Sequence, residues 1–210
     1  MKSAIGFALL CISLWPSLPF PKDIERIRNN QVLVTEVVLA PDETEKLAAD
    51  HPSVTVYWKP ASFEVIRSSG NKKGVSVTEG ESLFDAAEPR SIKNTGPGEL
   101  RYTRVEFLGT GSSEIWGTAG LSPKYKVLLE NRYARVYDIR IPAHTVEPQH
   151  THHDRVVVCL SGATLKHRYA DGHEEESTLK TGETAWRRGG THVGQNLGDT
   201  NLWAIAIEPK

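Results

Sequence analysis

Short runs rich in Val, Ile, Thr, Tyr and Trp recur along this chain at a spacing of about ten residues, the pattern of an all-β sandwich or barrel. QVLVTEVVLA (31–40), VTVYW (54–58), SFEVIRS (62–68), YARVYDIRI (133–141), RVVVCL (155–160), TLKHRYA (164–170) and NLWAIAIE (201–208) are such runs. Turn-forming clusters punctuate them: SSGNKKG, TEGES, TGPGE, YADGH, KTGET and NLGDT. Only KDIERIRNN (22–30) and TEKLAAD (44–50) read as helical.

The chain also aligns with itself. A displacement of 101 residues places Pro142 on Pro41, His152 on His51, Val157 on Val56 and Arg168 on Arg67. Beyond YADGH the displacement becomes 102, which implies one inserted residue in that turn, and Gly182, Glu183, Trp186 and Asn196 then fall on Gly80, Glu81, Phe84 and Asn94. Strands align with strands, so the expectation is a tandem duplication: one unit over 24–110, a second over 124–210, and a Gly- and Ser-rich linker over 111–123.

Composition excludes some partners. Of the 210 residues 39% are hydrophobic and 24% charged, an ordinary globular balance. The formal net charge of −1 offers no basic excess for nucleic acid. Beyond the N-terminus there is no run of roughly twenty apolar residues, so no integral membrane body is expected. Residues 1–20 differ from the rest: Lys2, an apolar run from Ala4 to Trp15, then Pro16 and Pro19. They read as a signal peptide, which places the protein in the periplasm or outside the cell, and in the cytoplasm if the segment is not one. Cys11 lies within that segment, and Cys159, in VVVCLSG, reads as a small buried hydrophobe.

The chemistry concentrates in the second unit. In PQHTHHDRVVV (148–158) His150 and His152 share one face of a strand and His153 takes the other. Two histidines so placed can ligate one ion, and His192 in RRGGTHVGQN, one hairpin away, is the candidate third ligand. Asp154 has the same parity and is the candidate fourth; the alternative is a rim pair with Arg155 or Arg187.

These segments carry a resemblance. HTVEPQHTHHDRVVVCLSG followed by GETAWRRGGTHVGQN resembles the two motifs of the cupin superfamily, through His150, His152 and Gly162 in the first and Gly182, Gly189, His192 and Asn196 in the second. Across both units the resemblance is to a bicupin, which implies two tandem double-stranded β-helix barrels of jelly-roll type. It further implies one divalent transition metal, with Fe, Zn, Ni and Mn not distinguished by imidazole ligands. The family's first-motif glutamate is absent: Val156 or Arg155 stands in its place, and the turn proline of the second motif is also replaced. A three-histidine site with open positions would resemble the thiol and diketone dioxygenase cupins. In the first unit Ala49, His51 and Arg90 stand at the ligand positions, so no metal is expected there.

Arg155, His167, Trp186 and Asn196 are the candidate substrate-pocket residues. The expected function is binding of, or action on, a small anionic or carbonyl molecule at a single C-terminal site, with dioxygenase or isomerase chemistry. The alternative is a non-catalytic binding or structural protein. Sheet edges need cover, so strand exchange between the halves or between subunits is a further expectation, the latter in a homodimer.

Overall fold

The computed structural model describes residues 23–210; residues 1–22, with the signal-peptide reading and Cys11, lie outside the described residues. The described residues form eighteen strands and no α-helix. The first nine are β1 (Asp23–Arg28), β2 (Val32–Leu39), β3 (Thr44–Leu47), β4 (Ser53–Tyr57), β5 (Ala61–Arg67), β6 (Lys72–Val77), β7 (Ser82–Asp85), β8 (Arg90–Asn94) and β9 (Leu100–Phe107). The second nine are β10 (Tyr125–Glu130), β11 (Ala134–Ile141), β12 (His150–His152), β13 (Arg155–Ser161), β14 (Ala163–Tyr169), β15 (Glu174–Leu179), β16 (Thr184–Arg187), β17 (Gly190–Asn196) and β18 (Leu202–Pro209).

Both segments that read as helical are strands. In β1 the ladder to β2 shifts register between Glu25 and Ile27, so Ile24 lies opposite Glu36 and Ile27 opposite Val34, on one face. A bulge thus produces a three-residue apolar spacing that imitates a helix. In β3, Glu45 points inward while Thr44 and Lys46 are exposed, the two-residue period of a strand paired to β8.

Each half of the chain closes two sheets over a core. The first half has a five-stranded sheet in the order β1-β2-β9-β4-β7 and a four-stranded sheet β3-β8-β5-β6. Tyr57, Phe63, Ile92, Leu100 and Tyr102 fill the space between them. The second half repeats this with β10-β11-β18-β13-β16 and β12-β17-β14-β15, around Tyr137, Ile139, Val157, Leu165 and Ala204. A third core joins the halves: Val34, Val54, Val56 and Val105 pack with Val136, Val156, Val158, Ile205 and Ile207. The central strands of the two five-stranded sheets, β2, β9 and β4 in one and β11, β18 and β13 in the other, are therefore buried on both faces. That is why RVVVCL reads as an unbroken apolar run and not as an alternation.

The register corrects the internal alignment. Val34 pairs Val105 as Val136 pairs Ile207; Phe63 pairs Asn94 as Leu165 pairs Asn196; Ser53 pairs Asp85 as Arg155 pairs Arg187. The displacement is 102 throughout these ladders, and the turns after Arg67 and Tyr169 close with the same backbone hydrogen bond, so YADGH holds no insertion. A slip of one residue moves every side chain to the opposite face. The positions matching His150 and His152 are therefore Ala48 and Asp50, and that matching His192 is Arg90.

The corrected register shows how the second barrel comes to be hollow where the first is filled. In the first half Arg104 pairs Glu45 at 2.8 Å, Tyr102 bonds the same carboxylate, and Tyr57 stacks on Phe63, so the interior is filled. In the second half Ala206, Ala204, Cys159 and Gly194 stand where Arg104, Tyr102, Tyr57 and Ile92 stand in the first. All four side chains are smaller, and a cavity of about 340 Å³ lies against two of them, Ala204 and Gly194.

Residues 111–123 lie against the second barrel. Trp116 and Gly117 donate backbone N–H groups to Glu130 at 2.6 and 2.7 Å, and Arg135 donates to the carbonyls of Gly117 and Ala119. The Gly120 carbonyl accepts from Thr151 N–H at 2.6 Å, which straps this segment to β12.

Candidate metal centre

β12 is short, and its pairing with β17 sets His150 opposite His192 and His152 opposite Gly190. Strand alternation turns His150 and His152 inward and leaves Thr151 exposed between them. The three imidazoles are buried, and one ring nitrogen from each lies within 4.8 Å of the others. His150 Nδ1 sits 2.9 Å from the Pro148 carbonyl, to which it can only donate, so the lone pair of a neutral ring lies on Nε2, where the Tyr125 hydroxyl is the hydrogen-bonding neighbour. The Nε2 atoms of His152 and His192 face each other at 3.3 Å. This donor set fits a cation: convergent, buried and oriented by a backbone acceptor behind one ring.

The cavity extends from the histidines along the interior of the barrel. Arg155, His167, Tyr169, Trp186, Arg187 and Arg188 contribute polar or aromatic wall, and Ile139, Ile141, Val157, Leu165 and Leu202 contribute apolar wall. Two carboxylates, Glu147 and Glu175, also line it. Arg155 is 8% exposed, and its Nη1 contacts His152 Nδ1. The His167 ring lies 4.4 Å from the His192 ring, centroid to centroid.

Burial, then the Arg155 charge, depresses the proton affinity of His152 far below the ordinary imidazole range. Burial and the neighbouring His167 bring His192 down to about 3, and burial with Arg155 brings His167 down to about 4. The folded pKa values lie below the unfolded ones, so the unfolded chain binds these protons first. Stability from the neutral rings is complete above about pH 6.5 and falls as the pH drops towards 4, by about 1.4 kcal/mol per pH unit for each ring. Thermal melts from pH 7 to 4.5 should show this fall, and His167→Gln should make it shallower; parallel slopes would contradict the burial of a neutral His167.

The structure does not bring two expected residues to the site. Asp154 lies in the exposed turn after β12, where its Oδ1 accepts the Gly189 N–H at 2.6 Å. It ties the turn after β12 to the turn before β17 and is not in the histidine cluster. Asn196 is fully buried, but it clamps a loop: its amide donates to the Ile141 and Thr200 carbonyls and accepts from Gly198 N–H. Asn94 makes the same three bonds in the first half, to Leu39, Gly98 and Gly96, where there is no histidine cluster. Asn196 is thus a structural residue of the repeat. His153 turns away and stacks on Trp116 with ring centroids 3.9 Å apart.

Two residues that sequence reasoning missed lie beside His150. The Tyr125 hydroxyl is 3.2 Å from His150 Nε2 and 3.4 Å from Glu147 Oε2. Glu147 Oε1 accepts from Ser122 Oγ at 2.6 Å. Burial raises the proton affinity of both the Glu147 carboxyl and the Tyr125 phenol above their ordinary ranges. The corrected register could have found Glu147, since it stands 102 residues after the buried Glu45.

A double barrel with one hollow, histidine-lined interior defines a recognisable class. No family model matches the sequence, and no curated protein matches it. Solved structures do match. AerE from Microcystis aeruginosa superposes with a TM-score of 0.63 at 13% identity, over 91% of this chain and 98% of that one. A cupin 2 conserved barrel domain protein from Leptotrichia buccalis gives 0.56 at 17% identity, over 90% and 88%. Oxalate decarboxylase from Bacillus subtilis, which has Mn(II) centers, gives 0.57 at 13%, over 89% and 74%. The chain has the cupin fold, in a two-barrel arrangement.

Proposed function

We propose that the second barrel binds one divalent transition metal through His150, His152 and His192, and that the adjoining cavity takes a small anionic or carbonyl-bearing molecule. The observation that carries this reading is the buried convergence of three imidazole nitrogens at the wall of a cavity that also holds the Arg155 guanidinium. The shared fold with a protein that has Mn(II) centers keeps manganese among the candidates beside iron, zinc and nickel.

A bound divalent ion would supply Lewis acidity towards a carboxylate, enolate or carbonyl oxygen. The chain's own groups supply the rest. Arg155 offers a charged donor to an anionic substrate. Tyr125 can hold or pass a proton between Glu147 and the edge of the cluster, and the apolar wall limits water. This set suits oxygenase or isomerase chemistry on an enolisable small molecule. The non-catalytic reading, a metal-anchored binding protein, predicts tight ligand retention without turnover. Residues 1–20 we read as an export signal, testable by N-terminal sequencing of protein from its native host.

Metal content by mass spectrometry of tag-free protein tests the site. About one equivalent per chain is expected in wild type and close to none in His150→Ala or His192→Ala, because two remaining imidazoles bind far more weakly than three. Wild type that stays empty after reconstitution with iron, zinc, nickel and manganese would overturn the metal site.

A further inference from the structure

Arg155 is the feature that a simple metal site does not explain. A guanidinium carries donors only, so His152 Nδ1 must accept the bond from Arg155 Nη1. The ring proton of a neutral His152 then sits on Nε2, the atom that faces His192 at 3.3 Å. Ligation through Nε2 needs the other tautomer, whose Nδ1–H would meet Arg155 donor against donor. The Arg155–His152 contact and ligation through His152 Nε2 therefore exclude each other.

Arg155 is also short of partners. It is 8% exposed, its Nε has no hydrogen-bond partner, and its other bond runs to the Arg188 carbonyl at 3.4 Å. No ion pair between Arg155 and a carboxylate occurs among the described residues, whereas the buried Arg104 and Arg135 each have one. A buried guanidinium with no carboxylate in contact is costly, and a cation placed beside it raises that cost. A carboxylate in the cavity would relieve both problems: it would draw the guanidinium off His152 into a bidentate pair and offset the added positive charge. The aliphatic side chains of the wall suit an apolar body on that carboxylate.

We propose that a divalent cation and a small carboxylate with an apolar body load this site cooperatively, with Arg155 as the coupling residue. The proposal rests on the metal reading above. His152 stays neutral throughout: one proton leaves Nε2 to water and one returns to Nδ1, so the exchange is balanced. Linkage is reciprocal, so the cation must tighten the carboxylate by the factor by which the carboxylate tightens the cation.

The test is titration with Co²⁺ in a buffer free of carboxylate and phosphate, with saturating butyrate, with butyramide, or with neither. Butyrate should tighten Co²⁺ binding to wild type by about tenfold or more, a typical coupling between linked sites, and butyramide should not. Arg155→Gln can accept from His152 Nδ1–H, and should bind Co²⁺ tightly under all three conditions. Equal Co²⁺ affinity of wild type with and without butyrate would overturn the coupling and leave the metal site standing, as would weaker binding by Arg155→Gln. Failure of Co²⁺ to bind either protein under any condition would overturn both. Should Arg155→Gln not fold, the contrast between butyrate and butyramide on wild type still decides.

Discussion

Glu208→Gln is expected to lower the stability of the protein by about 3–5 kcal/mol, the range for removing one partner of a buried ion pair. Arg135 and Glu208 are 1% and 0% exposed in their side chains and approach to 2.5 Å. Glu208 also accepts from the Tyr137 hydroxyl at 3.0 Å and from His153 N–H at 2.9 Å. Arg135 reaches on to the Gly117 and Ala119 carbonyls. The pair thus joins β11, β18, the linker and the turn after β12. Glutamine keeps the shape and removes the charge, so the guanidinium stays buried without compensation. Urea denaturation of Glu208→Gln, Arg135→Met and the double variant checks it. The double variant should be less destabilised than the two single effects added together, because it leaves no lone charge; simple additivity would show that the pair does not act as a unit.

Gly194→Val is the second large effect, and it acts on the site. A Cβ at Gly194 would lie 2.9 Å from Glu147 Oε2 and 3.6 Å from His150 Cε1. The side chain would push Glu147 against His150 and enter the cavity. Overpacking of this kind costs about 1–3 kcal/mol. The metal affinity should fall by about tenfold or more, since ligand geometry tolerates little displacement. Competition with a chelator, beside a thermal melt, separates the two effects. Unchanged metal affinity in a folded Gly194→Val protein would place the cation away from His150. Ile92 occupies the matching position in the first half, where the barrel is filled, so the fold itself accommodates a branched side chain there.

The strand pattern, the turns and the doubled unit were legible in the sequence, because strand burial imposes a two-residue period and turn chemistry is local. The His150 and His152 pair was legible for the same reason, since parity places both on one face. Two kinds of error arose. A bulge in β1 gave Ile24 and Ile27 a helical spacing, and a sparse alignment slipped by one residue in the first part of each repeat. Neither is visible locally, because a bulge and a register are properties of the partner strand. Asp154 and Asn196 had the right residue types at suitable spacings, yet backbone partners on other elements claimed both side chains.

The sequence by itself determined an all-β duplicated chain with imidazoles concentrated in one copy. Only the tertiary structure decided that this copy is hollow, since that depends on small residues, Ala204 and Gly194 among them, meeting at one cavity from two different sheets. It also decided that Glu147 and Tyr125 stand beside His150, and that Arg155 lies buried against His152 with no carboxylate in contact among the described residues. Such contacts join residues far apart in the chain, and their energetics depend on burial, which no local pattern encodes.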